Sequence, residues 1–541
     1  MTAATALVCS FPPDSSASPC PHRLEAIRLR QQAHYYRAMH QRSRQREAQL
    51  RQRIAELEAE NRLLKQQLFG RKAEPAPNRS DPKTDPPLPP RPPRRRGQQP
   101  GRPSPPRRAH AHLPAVRENC DLDDDHKTCP HCGLPFAPFP GTDDGEILEI
   151  DVRAYRRLYR RCRYRPACGC DGLPRVLTAP PPPKLIPKSH LGVSVWVTIL
   201  LDKFAFGRPT YRLLEDLRGH GLPLAAGTVT DGLQRLLPLF EPVYQALVSQ
   251  SRQADHWHAD ETRWLVFVST PGKVGHRWYL WAFLSATTVV FVLAPSRSHE
   301  VPEDHLGEAA TGILNVDRYS AYKALPQVKD GQIRLAFCWA HQRRDFLEVA
   351  ASWPSEAPWA QDWVTAIGEL YHLNEQRLTV AADRVAFAPT DHALRQAVAA
   401  MQRRWQEELA TPRLHPARAK ALASLGEHWE GLTLFVEHPA VPMDNNAAER
   451  VERGPVVGRK NYYGSGSLWS GHLAALLFSV LQTLRLWELN PRLWLGAYLR
   501  ACAEAGGQVP ANVSTFLPWN LSEERRREWS LAGVSERADT S

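Results

Sequence analysis

The stretch Trp257-His-Ala-Asp-Glu-Thr-Arg-Trp-Leu-Val-Phe-Val268 marks the point at which the chain changes from a helical to a strand-like pattern. Aromatic and β-branched residues are frequent in it, and such residues favour strands. A turn that contains Gly follows, and residues 278–284 and 287–293 have a similar composition. The sequence therefore predicts three antiparallel strands, followed by a short helix around residues 302–306.

Two more strands are predicted downstream of this meander. Gly312-Ile-Leu-Asn-Val-Asp317 is a predicted buried strand that ends in an acid, and residues 333–339 form the next strand. Three meander strands followed by strands that alternate with helices are the order of the RNase-H-like fold. Asp260 and Asp317 would end the first and fourth strands, so we expect them to meet at the centre of the sheet.

A third acid lies in Met443-Asp-Asn-Asn-Ala-Ala-Glu-Arg-Val-Glu-Arg453. The Asp-Asn-Asn sequence is typical of a helix N-cap, and the residues after it predict the first helical turns. Glu449 would then lie near the N-terminus of the helix, where the helix dipole favours its charge. Arg450 and Arg453 would lie on one side of the helix. The alternative is a solvated helix start held by salt bridges.

Asp260, Asp317 and Glu449 together predict a metal site. Three converging carboxylates repel one another unless cations lie between them. Hard oxygen ligands suit two Mg²⁺ or Mn²⁺ ions about 4 Å apart, an arrangement that serves phosphodiester chemistry. A single Asp at a strand end is more often structural. Strand alternation directs Glu261 away from Asp260, and Glu452 would take the role of Glu449 only in a different helix register.

The motifs around these acids resemble those of the DDE transposases of bacterial insertion sequences, most closely the insertion-sequence-66 family. The matching motifs are Asp260-Glu-Thr, Val316-Asp-Arg-Tyr-Ser-Ala-Tyr, Cys338-Trp-Ala-His-Gln-Arg-Arg-Asp-Phe, Asp444-Asn-Asn-Ala-Ala-Glu-Arg and Gly458-Arg-Lys-Asn. The resemblance covers roughly residues 129–503 and implies that Asp260, Asp317 and Glu449 are the metal-binding triad. It also implies contacts with the DNA strands by His341, Arg343, Arg344, Arg450, Arg453, Arg459 and Lys460.

Three points remain open within this resemblance. Arg318 stands where the family often has Gly, so it either touches phosphate or marks a subgroup difference. His341 is alternatively a packed core histidine. Arg459 and Lys460 lie beside two tyrosines, which suits contacts with a DNA strand, although an ordinary charged loop has the same composition.

Two cysteine pairs predict a structural Zn²⁺ site. Cys129-Pro-His-Cys132 and Cys168-Gly-Cys170 are separated by about 36 residues in the printed sequence, and each pair lies beside Gly. Two such pairs provide the four thiolates of a tetrahedral zinc site. Free buried cysteines are the alternative. The second pair is closely spaced, so we also consider as ligands Cys162, His126 and His131.

The N-terminal part of the chain carries the excess of positive charge. Residues 1–118 contain 23 Lys and Arg against 10 Asp and Glu, a net charge of +13, whereas the rest contains 46 against 47. Such an arm is typical of a protein that binds nucleic acid, although it could be only a solubilising tail. Within the predicted helix of this arm, six residues recur with a 4-3-4-3-4 spacing. This spacing predicts a weak dimerising zipper, or one face of a packed helix. Its residues are Leu50, Ile54, Leu57, Asn61, Leu64 and Leu68.

The predicted organisation of the 541 residues is a multidomain α/β protein. The RNase-H-like catalytic core is a mixed sheet with helices, interrupted by a helical insertion. In chain order, the segments are 1–22 (disordered), 23–71 (coiled-coil helix), 72–118 (Pro/Arg-rich linker), 119–178 (zinc module), 179–250 (helical, helix-turn-helix-like), 251–349 (core, first part), 350–440 (helical insertion), 441–487 (core, second part) and 488–541 (C-terminal helical tail).

The function predicted from this reading is DNA transposition. Metal-dependent hydrolysis would expose 3′-hydroxyls at the element's ends, and these would attack target DNA. The expected partners are double-stranded DNA (terminal inverted repeats and target), a second copy or more of the chain, and accessory proteins of the element. No membrane span or secretion signal is apparent, so we expect a cytoplasmic, nucleoid-associated protein. The alternatives are an RNase-H-like nuclease or resolvase without strand transfer, and a zinc-containing DNA-binding regulator with an inactive core.

Overall fold

The computed structural model describes residues 25, 28–47, 49–51, 121, 123–127, 129–137, 152–165, 176–269 and 275–531. These residues belong to two units, Gly70–Val152 and the remaining segments Met1–Phe69 and Arg153–Ser541. The predicted linker, the zipper positions from Ile54 onward, and both Cys168 and Cys170 lie outside the described residues. Within the N-terminal segment, residues 28–47 and 49–51 are helical and exposed.

Short strands and three helices precede the main sheet. Strand β1 (Arg163–Tyr164) pairs antiparallel with β2 (Leu177–Thr178). The predicted helical segment 179–250 contains α1 (Val193–Leu200), which continues into a π-helical turn (Leu201–Ala205), and then α2 (Thr210–Gly219) and α3 (Ala226–Arg252). Helix α3 buries a stripe of apolar residues spaced three and four apart, which is why it forms and packs inward. The stripe consists of Leu233, Leu236, Phe240, Val243 and Leu247.

The five predicted strands are present in one mixed sheet. Three strands form the antiparallel meander: β3 (His256–Leu265), β4 (Arg277–Leu284) and β5 (Val289–Ala294). After α4 (Glu300–Leu306) come β6 (Gly312–Val316), the short helices α5 (Ser320–Lys323) and α6 (Pro326–Lys329), and β7 (Ile333–Phe337). The order across the sheet is β5-β4-β3-β6-β7, with β6 parallel to both β3 and β7. The central strand is therefore β3.

Strand alternation divides the buried side chains of β3 between two cores. Trp257 and Ala259 belong to the core that also contains Trp281 and the helical insertion, whereas Trp264 belongs to the core shared with the flanking helices. Neighbouring residues of a strand point to opposite faces. Asp260 therefore lies on the face of Trp264, and Glu261 lies on the opposite face.

The helical insertion follows β7. It comprises α7 (Trp339–Ser352), a 3₁₀ turn (Pro354–Glu356), α8 (Ala357–Thr379), α9 (Arg384–Leu409), α10 (Pro416–Glu427), α11 (Trp429–Leu432) and α12 (Leu434–Glu437). Trp363 and Trp429 are buried in its core, and Trp359 and Trp405 pack against it. The predicted helical character of residues 350–440 therefore agrees with the structure.

The C-terminal part contains α13 (Asn446–Tyr462), α14 (Leu468–Leu486), α15 (Pro491–Glu504) and α16 (Glu523–Glu528). The described part of the predicted C-terminal helical tail, 488–541, is packed into the core and is not peripheral. Phe516, Leu521 and Trp529 are buried in the same core as Trp494, whose Nε1 donates to the carbonyl of Phe516 at 2.8 Å. The many charges around them concealed three widely spaced apolar anchors. None of the helices in the described ranges is long and apolar enough to cross a membrane.

Candidate active site

Asp260 lies in the middle of β3, and not at a strand end as predicted. Strand β3 is paired over different lengths with its two neighbours. β4 pairs with β3 from His258 to Leu265, whereas β6 pairs with β3 only from His256 to His258. Asp260 therefore lies just beyond the point where the parallel neighbour ends, so its side chain stands beside an open part of the sheet. Its Oδ1 accepts the backbone N–H of Glu261 at 2.9 Å.

Asp317 lies at the corresponding position after β6. The last parallel pair is His258 with Asn315, and both Asp260 and Asp317 follow that pair by two residues. Because side chains alternate along strands, the two acids continue the same face of the sheet. The Asp317 Oδ1 accepts the backbone N–H of Tyr319 at 2.8 Å. The two predicted acids are therefore brought to adjacent positions.

Glu449 lies in the first turn of α13, as predicted, but the helix is anchored differently from our expectation. We expected the Asp444-Asn-Asn446 sequence to cap the helix. Asn445 does occupy the N-cap position, but its side chain reaches back to β3 and makes no hydrogen bond to the helix. Its Nδ2 donates to the carbonyl of Ala259 at 2.8 Å, and its Oδ1 lies 2.9 Å from Nδ1 of His258. Asp444 supplies the local turn by accepting the N–H of Asn446 at 3.0 Å. The start of α13 is thus bonded to His258 and Ala259, the two residues that precede Asp260.

A second set of polar contacts fixes the chain before α13. Asn315 of β6 donates from Nδ2 to the carbonyl of Pro442 at 3.1 Å, and its Oδ1 lies 2.7 Å from Nε2 of His256. The N–H of Trp339 donates to the carbonyl of Met443 at 2.9 Å. Sequence analysis did not identify these residues as positioning residues. The available signal was the presence of polar side chains inside otherwise apolar strands, because buried polar groups need partners.

The three acids affect one another electrostatically. Burial raises the pKa of Asp260 well above its usual range, and the charges of Glu261 and Asp317 raise it further, with a smaller effect from Glu449. Burial also raises the pKa of Glu449; the cations Arg344 and Arg453 oppose that rise, whereas Asp317 adds to it. Asp260, Asp317 and Glu449 therefore form one cluster of repelling carboxylates.

This cluster has the donor chemistry of a Mg²⁺ site. Within the described residues, no group of three or more His, Cys, Asp or Glu side chains is placed to hold a single metal ion. Mg²⁺ does not require such a cage, because it is usually bound by one or two carboxylates together with water and substrate phosphates. Half-buried, mutually repelling carboxylates at an open part of a sheet fit that requirement. The residues that would hold the ions are Asp260, Asp317 and Glu449.

The residues predicted to touch DNA occupy two helices beside the acids. On α7, His341 is half-buried, and its Nδ1 has no hydrogen-bond partner among the residues that the structure describes. Burial, together with the charge of Arg344, lowers the pKa of His341 to about 4, so its ring is neutral at pH 7. Arg343 and Arg344 follow it on α7 and are half-buried.

Arg450, Arg453 and Lys460 are exposed along α13. Arg459 is half-buried and donates from Nη1 to Thr262 Oγ1 at 3.1 Å and to the carbonyl of Arg263, so it attaches the end of α13 to β3. DNA contact by Arg459 remains a prediction.

Arg318 is half-buried and its guanidinium has several partners within the protein. It forms an ion pair with Asp345 of α7, with Nη2 to Oδ1 at 2.8 Å. It also donates to Ser424 Oγ at 2.7 Å and to the carbonyl of His341 at 3.1 Å. The guanidinium thus joins the segment after β6 to two helices of the insertion. Contact with phosphate and a subgroup difference both remain predictions.

Half of the predicted zinc site lies in the smaller unit. The N–H of Gly133, which has φ of 70°, donates to the carbonyl of Cys129 at 2.9 Å. Hydrogen bonds from the backbone of His131 and Cys132 lower the pKa of the Cys129 thiol. Backbone donors directed at a sulfur favour the thiolate that zinc requires. Because Cys168 and Cys170 are outside the described residues, the complete site remains a prediction.

A basic and aromatic segment was missed in the sequence. Residues 153–165 contain seven arginines and three tyrosines without an acid, and all are exposed. Arg161 Nε donates to the carbonyl of Ala179 at 2.7 Å, and β1 at the end of the segment pairs with β2. We call residues 153–165 the Arg–Tyr segment. Its composition is readable from the sequence, where it lies between the two predicted zinc-binding cysteine pairs.

Comparison with known proteins gives one family and several relatives. The family described as "Transposase IS66 family" matches residues 188–473. The chain is similar to the uncharacterized protein y4jD of Sinorhizobium fredii, with 28% identity over 435 residues, 76% of this chain and 81% of the relative. It is similar to the uncharacterized protein y4hP of the same organism, with 25% identity over 426 residues, 75% of this chain and 74% of the relative. A third relative, y4qI, is 26% identical over 399 residues, 71% of this chain and 72% of the relative.

Proposed function

Because the chain belongs to the Transposase IS66 family, we propose that it is a DNA transposase that cuts phosphodiester bonds at the ends of its element and joins the resulting 3′-hydroxyls to target DNA. The observation that carries the proposal is the cluster of Asp260, Asp317 and Glu449. Three separate elements bring these acids together inside the region matched by the family. A half-buried cluster of like charges is costly for the fold and is therefore a candidate for function.

The order β5-β4-β3-β6-β7 supports an RNase-H-like core. The central strand β3 pairs with β4 on one side and, over a shorter length, with β6 on the other. Asp260 and Asp317 lie next to each other at the point where the pairing of β3 with β6 ends. The helix that carries Glu449 is bonded to that same strand. This arrangement supplies a rigid platform for the acids, and preorganised groups act most strongly in such sites.

When bound, paired Mg²⁺ ions supply Lewis-acid activation of the attacking oxygen and stabilisation of the leaving oxygen. The residues of this chain have the remaining tasks. Asp260, Asp317 and Glu449 would hold the ions, and Asn445 fixes the helix that bears Glu449 relative to β3. Exposed Arg450, Arg453 and Lys460 provide phosphate contacts beside the acids. His341, neutral at pH 7, can accept or donate a hydrogen bond to the bound strand.

The regions outside the acids would recognise and pair the element's ends. The Arg–Tyr segment combines cations for phosphates with rings for exposed bases. We propose that Zn²⁺ bound by Cys129, Cys132, Cys168 and Cys170 stabilises the adjacent module, and that the N-terminal helix pairs two copies of the chain. Both proposals rest on the cysteine spacing and the heptad spacing of the sequence.

The first prediction tests the function directly. Asp260→Asn, Asp317→Asn and Glu449→Gln should each reduce strand cleavage by about a thousandfold or more. Each change removes an ionic ligand but keeps the shape, and a catalytic metal contributes several kcal/mol, with ~1.4 kcal/mol per tenfold in rate. The measurement is Mg²⁺-dependent cutting of a DNA duplex that carries the element's own end. DNA binding, measured by fluorescence anisotropy, should persist in all three variants.

Glu356→Gln is the matched control, because Glu356 is a buried glutamate of the insertion that pairs with Arg418. It should retain cleavage. Near-normal cutting by any triad variant would remove that residue from the assignment. Cleavage without joining of a 3′-end to a target plasmid would favour the nuclease or resolvase alternative, and metal-independent DNA binding without cleavage would favour the regulator.

A further inference from the structure

Glu452 is a second acid of α13, three residues after Glu449. That spacing places the two side chains on neighbouring positions of one helix face. Glu452 is only 7% exposed, and its Oε1 has no hydrogen-bond partner within the described part of the chain. Burial raises the pKa of Glu452 well above its usual range, and the charge of Asp260 is the next largest cause. The geometry of α13 agrees with this: Asn445 just before the helix bonds to the carbonyl of Ala259 at 2.8 Å, and Arg459 near its end bonds to Thr262 Oγ1 at 3.1 Å. Because the helix crosses β3 between these contacts, the buried side chain of Glu452 faces the part of β3 that contains Asp260.

Glu261 shows how a buried acid beside this sheet is ordinarily satisfied. Its carboxylate accepts hydrogen bonds from Arg297 Nε at 2.8 Å and from the Tyr322 hydroxyl at 2.6 Å. Glu452 has no comparable donor on Oε1. Arg459, the cation that acts on it electrostatically, directs Nη1 to Thr262 and Arg263 instead. A buried carboxylate in this condition destabilises the folded chain unless a cation or a proton neutralises it.

We propose that Glu452 is a fourth carboxylate of the candidate active site and that it binds a divalent cation together with Asp260. The inference rests on the proposed function, because it assigns a further ligand to the same site. Asp260 is common to both sets of acids: its charge interacts with those of Asp317 and Glu449, and also with that of Glu452. Two carboxylates, with water and substrate phosphate, are sufficient protein ligands for such an ion. This explains a buried acid that the triad alone leaves without a role.

The test measures cation binding by the full-length protein without DNA. Mn²⁺ is the probe, and electron paramagnetic resonance reports the free ion in a titration of wild type, Glu452→Gln, Glu452→Asp and Asp260→Asn. We expect Glu452→Gln to weaken Mn²⁺ binding by about ten- to a hundredfold, the range found when groups that support a metal site are lost. Glu452→Asp keeps the charge and should recover part of the affinity. Glu356→Gln, a buried glutamate with its own arginine, should bind as wild type does.

A second readout is the increase in melting temperature that Mn²⁺ produces. Glu452→Gln removes an unsatisfied charge, so the metal-free variant should melt at or above the wild-type temperature, with a smaller increase on addition of Mn²⁺. One outcome would overturn the role of Glu452 and leave the proposed function intact. In it, Asp260→Asn loses Mn²⁺ binding, whereas Glu452→Gln keeps both the wild-type affinity for Mn²⁺ and the wild-type thermal shift. Absence of Mn²⁺ binding by the wild-type protein, even in the presence of element-end DNA, would overturn both.

Discussion

Asn445 shows how one side chain can determine the geometry of the whole candidate site. Asn445 lies four residues before Glu449 and is 1% exposed. Its side chain bonds to the carbonyl of Ala259 and to His258. Its backbone N–H also donates to Sγ of Cys338 at 3.2 Å. The distance between Glu449 and the strand acids therefore depends on an amide that contacts no substrate.

We predict that Asn445→Ala lowers the free energy of unfolding by about 2–4 kcal/mol, because it leaves two buried polar groups without partners, each at a cost of ~1–3 kcal/mol. Cleavage should fall more than folding alone explains, since α13 loses its attachment to β3. Asn446→Ala is the matched control one residue later, at a half-buried position, and it should change both quantities little. Denaturant unfolding and the cleavage assay measure the two effects. Equal behaviour of the two variants would exclude the anchoring role.

His305 provides a pH-dependent test of the core that contains Phe283, on the face of the sheet opposite to Asp260. It is 5% exposed, its Nε2 lies 3.1 Å from Ser251 Oγ, and its ring stacks on Phe283. Burial lowers the pKa of His305 from 6.5 to about 3, with a smaller contribution from the charge of Arg252. Between these values the unfolded chain binds a proton that the folded chain does not bind. The stability contributed by neutral His305 is therefore lost as the pH falls below 6.5.

We predict that the free energy of unfolding falls on acidification from pH 6 to pH 4 by about 1.4 kcal/mol per pH unit more in the wild type than in His305→Gln. Other buried histidines add the same background to both proteins, so the difference isolates His305. Urea unfolding at several pH values gives the slopes. His190→Gln, at an exposed position, should keep the wild-type slope. Parallel slopes for wild type and His305→Gln would show that His305 is protonated in the folded chain.

At the scale of elements, the sequence was sufficient to predict what depends on local composition. The helix pattern of α1–α3 and the aromatic and β-branched strands β3–β7 were all recognisable, and the alternation of Asp260 and Glu261 followed from the strand itself. The termination of the β6 ladder at His258 was not predictable, because register depends on pairing between distant segments. Nor could the helix pattern reveal that Asn445 bonds to β3 instead of to its own helix, since both roles use the same amide.

The Arg–Tyr segment makes a prediction for an exposed element. Arg156→Ala combined with Arg160→Ala should weaken binding to duplex DNA and reduce the slope of log affinity against log salt by up to about 2, because each lost phosphate contact removes ~0.9 from that slope. The matched control is Arg384→Ala combined with Arg403→Ala, which removes two exposed arginines from α9. Anisotropy titrations from low to moderate salt give both slopes. Identical slopes for the two double variants would locate the phosphate contacts elsewhere.

At the scale of the whole molecule, the excess positive charge and the candidate active site lie in different parts of the chain. The candidate active site lies in a part of the chain that is nearly neutral overall, 46 basic against 47 acidic residues after residue 118, whereas the first 118 residues carry +13. An acid cluster that binds cations repels DNA in their absence, so affinity for the phosphate backbone must come from other surfaces. A basic arm would supply this affinity for DNA and leave the acids free to bind cations.

We therefore predict that deletion of residues 1–118 flattens the salt dependence of DNA binding and weakens self-association, while Mn²⁺ binding by the acids persists. The arm supplies counterion release, and the spacing that includes Asn61 supplies pairing of two helices. Analytical ultracentrifugation measures association, and the slope of log affinity against log salt measures the arm. In the full-length chain, Arg94→Gln, Arg95→Gln and Arg96→Gln together should lower the slope by up to about 3 without changing association. An unchanged slope after the deletion would mean that the arm is only a solubilising tail and that the phosphate contacts belong to α13 and the Arg–Tyr segment.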